Sequence, residues 1–139
     1  MSLRELEGTQ WSGRSELWLD PLGNEAVTSE CTIAIQPHEV AYTWSYEGTS
    51  HTGKIALRDG IVEFSDSFHS PEPMTMRSVL GSWAVVDVQG TYPAGDGPPW
   101  GWRITVSLRT DGDELVLQMT NIKPTGEEGR AVRMICKRS

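Results

Sequence analysis

Four ionisable side chains, Glu63, Asp66, Asp87 and His69, are the candidates for acid–base chemistry, which requires a carboxylate or imidazole held beside a partner in a pocket. None belongs to a nucleophile or cofactor motif. The chain has no Gly-x-Ser-x-Gly elbow, no phosphate-cradling glycine loop and no dinucleotide fingerprint. Asp87 interrupts the apolar run Trp83-Ala84-Val85-Val86-Asp87-Val88 and reads as a solvent-facing carboxylate near a strand end. His38, His51 and His69 fall in or beside expected turns and do not share a strand face at the spacing of a metal triad. They read as surface imidazoles, with His51 or His69 at a rim from which a ring nitrogen could meet a ligand's polar group. The acidic clusters Glu127-Glu128 and Asp111-Gly112-Asp113-Glu114 lack the alternating oxygen donors of a calcium loop. No metal and no cofactor is expected.

The aromatic residues carry a different signal. Tyr42, Trp44 and Tyr46 occupy one face of the period-two run Val40–Tyr46, while Thr43 and Ser45 occupy the other. Together with Phe64, Trp83, Trp102, Met119 and His51 they form a candidate wall for a small apolar or planar ligand. The competing reading is that these rings complete the core. Trp100, in Pro98-Pro99-Trp100-Gly101, is expected to cover a barrel mouth or an interface.

The elements that must position these residues are strands. Gly and Pro cut the chain into short pieces, with turns expected at Asp20-Pro21-Leu22-Gly23-Asn24, Gln36-Pro37-His38, Asp59-Gly60, Asp111-Gly112-Asp113 and Pro124-Thr125-Gly126. The two Asp-Gly pairs are hairpin signals, since glycine takes positive φ at no steric cost. Trp102, Ile104, Val106 and Leu108 alternate with Arg103, Thr105, Ser107 and Arg109. Leu115, Leu117 and Met119, then Val132, Met134 and Cys136, continue this as a meander. Shorter strands fit Thr32–Ile35, Lys54–Leu57, Ile61–Phe64 and Trp83–Val88. Two long connections are expected, Ser65–Met74 and Gly90–Gly101, and a single helical turn over Leu3–Glu7 is expected to plug a barrel end. Roughly eight to ten strands with turns every 8–12 residues predict one all-β domain spanning the whole chain, an antiparallel barrel or sandwich.

The 139 residues suffice for one hydrophobic core. The 19 acidic against 12 basic side chains give a formal charge of −7, which argues against nucleic acid as a partner. The apolar runs are too short to cross a membrane, and the amino terminus lacks the pattern of a secretory signal, so the expected compartment is the cytoplasm. In that reducing setting Cys31 and Cys136 are expected as buried free thiols. A homodimer is the default assembly.

Gly8-Thr9-Gln10-Trp11-Ser12-Gly13 resembles the Gly-x-Trp entry of lipocalin-like and fatty-acid-binding (calycin) proteins, with one residue more before the tryptophan. Tyr46-Glu47-Gly48, Phe64-Ser65-Asp66-Ser67-Phe68, Gly101-Trp102 and Cys136-Lys137-Arg138 look like an uncharacterised bacterial family of that group. The resemblance implies an antiparallel up-and-down β-barrel able to enclose an interior cavity, with no particular ligand or reaction, and a tryptophan at one barrel end packed on an arginine of the last strand, here Trp11 with Arg133 or Arg138. Some relatives bind haem through a histidine near the carboxyl end; the final strand here has none. The function expected is non-catalytic binding of a small apolar or aromatic molecule in the barrel interior. The alternatives are a filled barrel serving as an interaction or assembly module, and an isomerase, cyclase or decarboxylase using the same cavity.

Overall fold

The computed structural model describes residues 2–20, 24–109 and 113–139. A 3-10 turn (Leu3–Leu6) precedes ten strands: β1 (Gln10–Trp18), β2 (Ala26–Gln36), β3 (Glu39–Tyr46), β4 (Thr49–Arg58), β5 (Ile61–Asp66), β6 (Ser70–Ser78), β7 (Val86–Tyr92), β8 (Trp100–Arg109), β9 (Glu114–Ile122) and β10 (Glu128–Arg138). Each strand pairs antiparallel with its sequence neighbours and β10 closes on β1, giving the expected up-and-down barrel. Period two builds it. In β8 Trp102, Ile104 and Val106 are buried while Arg103, Thr105 and Ser107 are half-exposed. Their registered partners on β9, Asn121, Met119 and Leu117, face the same interior.

Hairpin chemistry sets the register. Asp59 and Gly60 have φ of 48° and 80°, and Glu47 and Gly48 have 50° and 77°, the paired positive φ values of a primed two-residue turn. Of the other expected turns, Asp111-Gly112 and the Pro21-Leu22-Gly23 portion of the first lie outside the described residues.

The two barrel ends differ. At one, Leu6 of the 3-10 turn is 1% exposed and lies in the core, as expected of a plug. Trp11 is fully buried beside it, its indole donates to Thr9 Oγ1 (2.9 Å), and the Arg138 guanidinium sits 4.9 Å from its ring centroid. Arg133 instead binds Glu16 (2.9 Å). The opposite end carries the β3–β4, β5–β6 and β7–β8 turns and the aromatic residues described below.

Two connections differ from expectation. Ser65–Met74 is no long loop: β5 continues through Asp66, residues 67–69 turn, and β6 begins at Ser70 after a bulge between Phe64 and Asp66. Local proline content masked a strand. Pro71 and Pro73 lack the N–H that a ladder needs, and the described pairing of β6 with β7 is limited to Arg77↔Gln89 and Ser78↔Val88, at the plugged end. Toward the aromatic end the two strands share no further described ladder pair yet stay close, since a Cβ at Gly90 would lie 2.9 Å from the Thr75 carbonyl oxygen. The second connection, Gly90–Gly101, shortens to residues 93–99 because β7 runs on to Tyr92 and β8 starts at Trp100.

The seam closing the barrel depends on Gly13, which registers with Cys31 on one side and Cys136 on the other. A Cβ there would lie 2.0 Å from the Ile135 carbonyl oxygen and 2.7 Å from Cys136 Cα, so β1 and β10 approach as they do because position 13 has no side chain. The two thiols meet over it at 3.5 Å, both buried and free. Gly13→Ala is expected to shift the urea unfolding midpoint by an amount equivalent to about 1–3 kcal/mol of lost stability, the range for overpacking a fixed site. An unchanged midpoint would show the seam to be loose.

Candidate functional site

Asp66, the last residue of β5, is 2% exposed and points into the barrel. Its Oδ2 accepts from the Tyr42 hydroxyl (2.5 Å) and the Trp44 indole (3.3 Å), and its Oδ1 accepts from the backbone N–H groups of Phe68 (2.7 Å) and His69 (2.9 Å). A buried carboxylate is tolerated when its lone pairs are satisfied in this way. The Tyr42 hydroxyl gets there across Gly53, which registers with Tyr42 on β3 and with Asp66 on β5. A Cβ at Gly53 would meet Tyr42 Cζ and the hydroxyl oxygen at 2.2 Å. Burial first, then the charge and hydrogen bond of Asp66, hold the Tyr42 phenol well above its ordinary pKa, so it remains the donor.

The bonds to Asp66 tie down the β5–β6 turn and bring Phe68 and His69 into ring contact with β3 and β8. His69 stacks on Trp44 (centroids 5.6 Å, 19°) and lies 5.3 Å from Trp102. Trp102 in turn contacts Phe64 (6.3 Å, 25°) and the edge of Tyr92 (6.3 Å, 83°). Tyr92 donates a short hydrogen bond to Asn121 Oδ1. Phe68, half-covered at 37% exposure, meets Trp44, Tyr46, His51 and His69 edge-on. His51 lies 4.8 Å from Trp44 and hydrogen-bonds Ser67 Oγ through Nδ1 (2.8 Å).

Among the described residues three buried side-chain polar atoms have no hydrogen-bond partner, Ser15 Oγ, His69 Nε2 and Trp102 Nε1. Two of the three belong to this one cluster, on rings in contact with each other. Burial pushes the His69 pKa below its ordinary value; the Asp66 charge pulls it back up, and His51 adds to the lowering. The imidazole is therefore neutral at pH 7. No group of three or more His, Cys, Asp or Glu side chains able to hold a metal occurs among the described residues.

The structure thus gathers Trp44, Tyr46, His51, Phe64 and Trp102 of the expected ligand wall into one chain of ring contacts. Tyr42 is attached to them through Asp66, and Tyr42 (2%), Trp44 (3%), Trp102 (5%), Phe64 (0%) and Met119 (1%), the last one inward position below Asn121, all belong to the buried core cluster. Trp83 does not belong. It is completely exposed, outside the barrel at the plugged end, because the strand expected over Trp83–Val88 begins at Val86. Inward Val86 and Val88 also make 83 an outward position by parity. The segment before β7 is tied instead by bonds that extend the neighbouring ladders, Val79 N–H to Asp87 O (2.8 Å) and Val85 N–H to Val106 O (2.8 Å).

Asp87 is buried rather than solvent-facing, with its side chain 2% exposed. It points outward from β7 and is gripped by Arg103 through Nε (2.9 Å) and a second guanidinium nitrogen (2.6 Å). Burial raises its pKa, but the hydrogen bonds from Arg103 and Ser82 and the Arg103 charge outweigh that and leave it below the ordinary value. Glu63 is exposed and His38 sits exposed on its turn. His69, expected at the surface, is half-buried because its neighbour Asp66 draws the turn inward. Phe68, Tyr92, Asn121 and Gly53 were not legible as site residues. Phe68 stood inside a quoted motif, but nothing in its spacing placed it over Trp44.

An open groove of about 680 Å³ on β2–β5 is lined by Thr32, Ala34, Ala41, Thr43, Thr52 and Ser65 on the outer face, and Tyr42, Gly53 and Asp66 also border it. It contains no unpartnered buried polar side-chain atom. No protein-family model and no curated protein matches the sequence, so the geometry carries the functional reading.

Two stability measurements check this arrangement. Tyr42→Phe removes one hydrogen bond to a charged acceptor and is expected to cost about 1.5–3 kcal/mol in urea unfolding; Asp66→Ala strands four donors and should cost more. A neutral Asp66→Ala would mean that the turn is held by packing alone. Because the folded pKa of His69 lies below the unfolded value, its contribution is present above pH ~6.5 and is lost as pH falls toward the folded pKa. Unfolding free energy measured from pH 7.5 downward should decline through that window, and His69→Gln should flatten the decline.

Proposed function

We propose that this protein binds a small, planar, largely apolar molecule at the aromatic end of the barrel, without catalysis. The observation that carries the reading is the buried indole N–H of Trp102, in a residue only 5% exposed, left unpartnered on a ring whose centroid lies 5.3 Å from that of His69, whose Nε2 is unpartnered as well. Leaving a buried donor unsatisfied costs about 1–3 kcal/mol, a cost that a ligand's polar atom would offset. Trp44, Phe68, Tyr92 and Trp102 supply faces and edges for the apolar body. Deeper in the barrel the side chains are packed against one another, so the binding position is close to this mouth.

Enzyme chemistry is the weaker reading. Both Asp66 oxygens are already fully engaged as acceptors, which suits a scaffold better than a general base, and Asp87 faces the outer wall. The two unbonded thiols at contact distance favour a reducing compartment such as the cytoplasm. A second reading, an interaction module, draws on Leu80 and Trp83, 94% and 101% exposed on the segment outside the plugged end.

Trp102→Phe keeps most of the ring while deleting the stranded donor. Its stability loss is expected to stay below about 1.5 kcal/mol, while affinity for a planar probe such as 2-naphthol falls about tenfold. Thermal unfolding with and without 2-naphthol reads both quantities. A large stability loss with an unchanged response to 2-naphthol would make Trp102 a core filler and remove this assignment.

A further inference from the structure

Resting on the binding reading above, the structure also constrains the head group that the site can take. The Trp102 indole N–H donates and cannot accept, so the group facing it must carry a lone pair. The neighbouring His69 Nε2 presents a second donor in its N–H tautomer, and a carbonyl oxygen, with two lone pairs, can accept from both. A cationic ammonium group offers no acceptor and would leave Trp102 as it is. A carboxylate offers acceptors but brings negative charge next to negative charge: the Asp66 carboxylate lies on the same turn, bonded to the His69 backbone at 2.9 Å, and Glu47 adds an exposed acid beside Tyr46.

None of the described cation contacts falls on His69 or Trp102. Arg103 is committed to Asp87 on the outer wall, Arg138 lies over Trp11 at the plugged end, and Arg130 and Arg133 lie over Trp18. Burial strengthens the repulsion because the low-dielectric interior screens it less than water does. We propose that the ligand presents a neutral acceptor oxygen, the carbonyl of a ketone or amide on a planar aromatic body, to Trp102 Nε1 and His69 Nε2, and that the site discriminates against the matching carboxylate.

The test uses two probes with one ring system, 2-acetylnaphthalene and 2-naphthoate, titrated at pH 7.5 into the full chain carrying ¹⁵N-labelled tryptophan. The indole N–H resonance of Trp102, identified by its absence in Trp102→Phe, reports the contact. The expected result is that 2-acetylnaphthalene moves this resonance and binds at least tenfold more tightly than 2-naphthoate, a difference of about 1.4 kcal/mol. Trp102→Phe should reduce that preference. If 2-naphthoate binds equally or more tightly while moving the same resonance, the neutral head group is wrong and the binding reading stands. If neither probe moves the Trp102 resonance, the site assignment fails and the inference with it. Binding of 2-acetylnaphthalene that leaves the Trp102 resonance in place overturns the head-group contact.

Discussion

A buried carboxylate in a barrel this small has to be surrounded by donors, and the way Asp66 meets that requirement organises the whole aromatic end. Its four hydrogen bonds come from two side chains of β3 and two backbone amides of the β5–β6 turn. The same bonds therefore pin Tyr42 and Trp44 from one side and draw Phe68 and His69 over them from the other. Desolvating the charge is costly, and the bonds offset that cost only in this arrangement, which gives the end its specificity. Gly53 is part of the device, since any side chain there would occupy the space through which the tyrosine reaches.

The constraint also creates a mismatch. Holding the turn inward brings His69 against Trp44 and Trp102, where its Nε2 and the Trp102 indole are removed from water without receiving protein partners. Native interiors seldom leave two such atoms on neighbouring rings. The plugged end shows the contrast: there the Trp11 indole is satisfied by Thr9, the threonine by the Leu6 carbonyl, and an arginine covers the ring. One end is finished as structure, while the other retains unused hydrogen-bonding capacity on the rings of His69 and Trp102.

Much of the fold was legible because its signals are local. Alternation in Trp102–Leu108, the Asp59-Gly60 turn and the clustering of Gly and Pro depend on neighbours one to four residues away, and they suffice for an antiparallel all-β domain. The same locality explains the errors. Two prolines made Ser65–Met74 look like a loop although a bulge and β5 pairing hold it as strand. An aromatic beside a strand made Trp83 look like a wall residue although parity and the true strand start put it outside.

Residue types and their spacing by themselves determined the all-β class, the aromatic face Tyr42-Trp44-Tyr46 and the short list Glu63, Asp66, Asp87 and His69, because side-chain period and turn chemistry are written along the chain. Which of those acids is a scaffold and which an outer ion pair was decided by register: Asp66 meets Tyr42 from two strands away across Gly53, and Asp87 meets Arg103 across one. Contacts between residues 33 to 38 positions apart, such as His69 with Trp102 and Phe64 with Trp102, exist only once the strands curl into a closed barrel, and hydrogen-bond satisfaction is a property of that closed geometry.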